Sequence, residues 1–177
     1  MNSGMRRHKR WALKLYLSIA LAGLSPHAAA EEPRAPCSTP AHDEFDFWIG
    51  EWEVSAPDGK QAGTNHIEKI LGDCVIFENW QSANSGYSGK SFNSYDVLTQ
   101  TWNQVWVDTA GSTIHFSGMR KDNVMEMTGT HVTQNGTVVH YRMSYTLNAD
   151  GTVRQLWQQS TDKQTWETLF DGLYKRK

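Results

Sequence analysis

His131 and His140 flank the dipeptide Asn135-Gly136. That pair is a strong hairpin signal, because a type I′ turn needs positive φ at both central positions. A two-residue turn there sets His131 directly across from His140 on one sheet face. Two imidazoles so placed would suit a metal or a haem iron, but no third ligand is evident in the sequence, and cross-strand histidines on an exposed face are the plainer reading. A second tight turn at Asp150-Gly151 carries Arg142 onto the face of Gln155 and Trp157. One face then collects His131, His140, Arg142, Gln155 and Trp157. The other collects Val139, Tyr141, Met143, Tyr145 and Leu147, and apolar periodicity favours this second face as the interior.

Trp102, Gln104, Trp106 and Asp108 alternate along a single strand-like run. Aromatic walls with fixed polar tips suit a ligand pocket, and equally a packed core. The binding residues expected on this basis are Trp80, Tyr95, Trp106 and Trp157 as walls, with Gln104, Asp108 and Arg142 as polar anchors. Glu78 and Asp108 would act as paired carboxylates of a hydrolase or isomerase if both faced one cavity. His115, alone between Ile114 and Phe116, reads as a hydrogen-bonded structural residue. The chain carries no G-x-S-x-G elbow, no H-E-x-x-H pair and no phosphate-cradling glycine loop. No catalytic residue, metal site or cofactor is therefore assigned, and a binder is favoured over an enzyme. The lack of C-x-x-C spacing or a neighbouring histidine at Cys37 and Cys74 weakens a metal pair or a catalytic thiol. They are an even pair in a chain that reads as exported to an oxidising compartment, so a disulfide is expected. It would pin a Pro-rich segment (Pro33, Pro36, Pro40) onto the folded body.

The elements that must position these residues are strands. Gly, Asn and Asp punctuate the chain beyond residue 50 at short intervals, and the runs between them are rich in Val, Thr, Tyr, Trp and Phe. About ten strands are expected, over 51–57, 61–70, 74–83, 87–98, 102–109, 112–120, 124–133, 137–147, 152–160 and 166–175. So many short-connected antiparallel strands must hide their edges. A single up-and-down barrel does so, with a sandwich as the alternative. The one helical signal lies at Asp43 to Ile49, where Phe45, Trp48 and Ile49 would form an apolar face behind Asp43 as cap and plug one mouth of the barrel.

Gly50-Glu51-Trp52, entered from Phe45-Asp46-Phe47-Trp48-Ile49, resembles the G-x-W opening of the calycin superfamily of lipocalins, fatty-acid-binding proteins and nitrobindin-like barrels. The ordered series Tyr95-Asp96, Trp102 to Asp108, Gly118, Asp150-Gly151, Trp157, Ser160-x-Asp162 with Trp166, and Phe170-Asp171-Gly172-x-Tyr174 extends the likeness over nearly all of 45–174. The whole resembles a family of exported bacterial calycin-like domains. The resemblance implies a ten-stranded barrel with an internal cavity, but no particular activity. It also places Trp157 among the recurrent barrel residues, so resemblance and periodicity point to opposite faces of the 137–147 strand. Nitrobindin-like barrels hold haem through a histidine, but the residues around His131 and His140 do not match that motif.

Residues 1–30 read as a secretory signal peptide: a basic start (Arg6, Arg7, Lys9, Arg10), an apolar stretch from Leu15 to Leu24, and a small-residue ending at Ala28-Ala29-Ala30. The expected organisation is thus a signal peptide (1–30), a Pro-rich leader (31–44) and a calycin-like barrel (45–177), in a periplasmic or secreted protein. The signal peptide holds five of the 17 Lys and Arg and none of the 19 acids, so cleavage leaves 12 bases against 19 acids, a net charge of −7. That balance argues against nucleic acid and anionic membrane surfaces as partners. No apolar run is long enough for a membrane-spanning helix. The expected partner is a small, partly apolar molecule; a purely structural barrel filled by its own side chains is the remaining alternative.

Overall fold

Apart from Met1, the computed structural model describes residues 36–177; the expected signal peptide lies outside the described residues. Ten strands follow one another: β1 (Gly50–Ser55), β2 (Gln61–Ile70), β3 (Val75–Ser82), β4 (Ser88–Asp96), β5 (Thr101–Asp108), β6 (Thr113–Lys121), β7 (Val124–Val132), β8 (Val138–Leu147), β9 (Val153–Ser160) and β10 (Glu167–Arg176). Each pairs antiparallel with the next, and β1 pairs with β10 to close the sheet into a barrel. Closure removes both sheet edges, which a sandwich would not. Among the described residues no helix is long and apolar enough to cross a membrane.

The helical signal before β1 becomes two short 3-10 turns, Pro40–Asp43 and Asp46–Trp48. Asp43 is not a cap: it ends the first turn, and with Asp46 it holds Lys69 of β2 at 3.1 and 2.7 Å. Phe45 and Trp48 are fully buried and stack at 4.9 Å, while Ile49 is only half-buried. Together they plug one end of the barrel against Trp102 and Tyr145. The Cys37–Cys74 disulfide ties the segment before the plug to the β2–β3 turn.

The G-x-W opening locks the closing seam. A Cβ on Gly50 would stand 2.3 Å from Arg176 Nη1. With glycine there, the Arg176 guanidinium lies 4.3 Å over the Trp52 ring and donates to the Ile49 carbonyl. Trp52 Nε1 in turn donates to the Trp48 carbonyl, joining β1, β10 and the plug.

The β7–β8 and β8–β9 hairpins depart from expectation by one residue. At Asn135-Gly136 only Gly136 has positive φ, and Thr133 pairs with Thr137 across a three-residue loop. This is a type I turn closed by a left-handed glycine, rather than a type I′ turn. The Asp150-Gly151 turn is built the same way, with Asn148 bonded to Thr152 and Gly151 at positive φ. One extra loop residue sends every side chain of the following strand to the other face. His140 therefore stands opposite Thr130, and His131 opposite Val139. The two histidines fall on opposite faces, which removes the paired-ligand geometry. Arg142 pairs with Gln158, while Met143 meets Trp157 and Tyr145 meets Gln155. The apolar face of β8 and Trp157 thus share the interior, and the disagreement between periodicity and resemblance came from the assumed turn length.

Candidate functional site

The barrel interior is divided by depth. At the plugged end Trp48, Trp52, Phe45 and Tyr145 are fully buried. At the other end, beneath Tyr87 and the start of β10, lies a cavity of about 250 Å³. Trp80, Trp106, Trp157 and Phe170 form its walls. Two strand glycines make room for the indoles: a Cβ on Gly63 would come within 2.6 Å of the Trp80 ring, and one on Gly89 within 2.2 Å of Trp106. A bulge between Thr168 and Phe170 sets Leu169 at the mouth while keeping Phe170 opposite Trp157.

The floor is polar. Glu78 is buried, accepting from Asn65 Nδ2 at 2.7 Å and Ser91 Oγ at 2.6 Å. Gln104 Nε2 donates to Asn93 Oδ1 at 2.8 Å and to the Tyr145 hydroxyl at 3.0 Å. Gln155 Nε2 reaches the same hydroxyl, and Gln155 Oε1 accepts from Tyr174. Among the described residues, Gln104 Oε1 and Trp157 Nε1 are buried with no hydrogen-bond partner.

Burial dominates the electrostatics here. Loss of water pushes the Glu78 carboxyl up to about 7, against the opposing bonds from Ser91 and Asn65. Burial, reinforced by the Glu78 charge, raises Tyr145 and Tyr174 well above the ordinary phenol range. The unfolded chain ionises Glu78 near 4.5 and the folded chain near 7, so the folded state retains the extra proton between those values. This group's contribution to stability is greatest below pH 4.5, falls as pH rises towards 7, and is level above it. The fall amounts to about 3 kcal/mol. Urea unfolding between pH 4.5 and 7.5 will show the slope in the parent, and a Glu78→Gln variant will lack it. Equal slopes in the two would mean that Glu78 is not the titrating group.

Of the expected binding residues, Trp80, Gln104, Trp106 and Trp157 converge on the cavity. Asp108 stands at the rim. Its carboxylate accepts from Tyr87 Oη, Trp106 Nε1 and the backbone N–H groups of Ala110 and Ser112. Burial opposes its ionisation, but these bonds outweigh burial and hold the carboxyl below its usual range. Asp108 therefore positions two lining residues, and Glu78 and Asp108 do not form a pair of free carboxylates. Tyr95 packs at the plugged end against Trp102 and His42. Arg142 lies on the outer surface, 4.2 Å over the Trp166 ring and bonded to Gln158; it does not reach the cavity. His115 is exposed on the outside of β6.

Sequence reasoning did not assign Tyr87, Tyr174 and Phe170 to the cavity, or Asn65, Ser91 and Asn93 to its polar floor. Nor did it give Glu78 its central place. Its signal was available: Ile76, Glu78 and Trp80 alternate on the buried face of β3, so one carboxylate interrupts an apolar stripe.

No protein-family model matches the chain, and no curated protein matches it significantly. The closed ten-strand barrel is compatible with a calycin-like fold. The site must speak through its own chemistry.

Proposed function

We propose that this is an exported, calycin-like barrel that binds a small, partly apolar molecule in the cavity beneath Tyr87. The observation that carries this reading is the contrast between the two ends of the barrel. One end is packed solid with aromatic rings, whereas the other keeps about 250 Å³ between Trp80, Trp106, Trp157 and Phe170, above a hydrogen-bonded polar floor. Apolar walls with a few fixed polar groups are the usual composition of a small-molecule site.

The test uses three phenyl probes that differ in their head groups: 2-phenylethanol, phenethylamine and 3-phenylpropanoate. At least one will produce a saturable change in tryptophan emission, since three of the walls are indoles. Trp106→Ala, which removes a wall, will weaken that binding and lower the melting temperature only modestly, because the ring borders open space. No saturable signal from any of the three, together with a large loss of stability in Trp106→Ala, would make the barrel a filled, structural one.

A further inference from the structure

Glu78 supplies the cavity's carboxyl, and among the described residues lining the cavity none is Lys, Arg or His. Its hydrogen-bond partners, Asn65 and Ser91, are neutral. The titratable groups that face it are Tyr145 from β8, Tyr174 from β10 and Tyr87 from the β3–β4 loop. Burial pushes all three hydroxyls upward, so they remain uncharged at neutral pH. A buried carboxylate without a countercharge is costly and is relieved by protonation or by an incoming cation. The surroundings suit a cation. Four aromatic side chains, Trp80, Trp106, Trp157 and Phe170, line the cavity, aromatic rings attract ammonium groups, and Gln104 Oε1 is an acceptor still without a donor.

Building on the cavity reading above, we propose that the molecule held in this barrel is a small protonated amine, its ammonium group paired with the Glu78 carboxylate inside the aromatic walls. Charge balance adds a consequence. Where Glu78 is protonated in the free protein, binding of R–NH3⁺ expels the carboxyl proton to solvent, one per amine bound. Where Glu78 is already ionised, no proton is released.

The experiment compares phenethylamine with 2-phenylethanol and 3-phenylpropanoate by calorimetry and tryptophan emission at pH 6 and pH 8. Phenethylamine will bind most tightly, and its affinity will be about tenfold weaker at pH 6 than at pH 8, with proton release at the lower pH detected by comparing two buffers. In Glu78→Gln, which keeps the side chain's shape, phenethylamine will lose about 30-fold or more in affinity. Binding of 2-phenylethanol will be nearly unchanged in that variant and reports that its cavity is intact. Should Glu78→Gln fail to fold, the ranking of probes and the proton release in the parent decide the matter. If 2-phenylethanol or 3-phenylpropanoate binds as well as the amine, or if Glu78→Gln weakens all probes equally, the amine assignment is overturned while the cavity still binds. If none of the three binds, the amine assignment is overturned, and a large loss of stability in Trp106→Ala would then overturn the cavity reading as well.

Discussion

Trp48→Ala will cost the protein about 3–5 kcal/mol of stability, the largest loss expected from any single truncation in the barrel. The ring has no exposure, stacks on Phe45 at 4.9 Å, and lies 4.6 Å from Tyr145. Nothing at the plugged end can collapse into the space it would leave, because the neighbours are rigid rings fixed by two 3-10 turns and β8. Trp106→Ala removes an equally large side chain but opens onto the existing cavity, so its cost will be clearly smaller. Urea unfolding followed by circular dichroism separates the two variants. A Trp106→Ala loss equal to or greater than that of Trp48→Ala would contradict the division of the interior into a solid and a hollow end.

Replacing Cys37 and Cys74 together by serine will lower stability by about 4 kcal/mol in the chain-entropy account of cross-links. The bridge spans 37 positions in sequence and joins the segment before the plug to the β2–β3 turn. Without it, the plug is held chiefly by the Lys69 ion pairs, by Arg120 bonded to the Glu44 carbonyl and stacked on Phe47, and by the buried rings. A reductant will destabilise the parent by a similar amount and leave the double variant unaffected. A parent indifferent to reductant would show that the tether adds nothing to the folded state.

The ten strands were legible because period-two alternation and regularly spaced turn residues are local signals. Every observed strand lies within one or two residues of its expected position. The plug was legible for the same reason, as aromatics crowded before β1. Turn length was not. Asn135-Gly136 is compatible with a two-residue or a three-residue loop, and only the second leaves Asn135 at negative φ. That single residue decided whether Arg142 or Met143 faced inward. Depth along a strand was equally hidden: Trp102 and Trp106 share one face of β5, yet the first meets the plug and the second lines the cavity. The polar floor gathers residues from β2, β3, β4, β5, β8, β9 and β10, so no sequence window could contain it.

The seam between β1 and β10 bears on how the molecule is made. Trp52 pairs with Arg176, and the guanidinium that seats itself over the indole comes from the end of β10. Nine of the ten strand pairings join neighbours in sequence and can form as successive hairpins. The tenth has to bring together the two most distant strands, and the entropy of closing that loop must be met before any seam contact rewards it. Until then β1 and β10 both present unpaired edges, open to pairing with another chain. Seam formation is therefore the expected slow step in refolding. Variants at Gly50 or Arg176 will therefore slow refolding, and variants that only speed unfolding would show that the seam closes after the slow step.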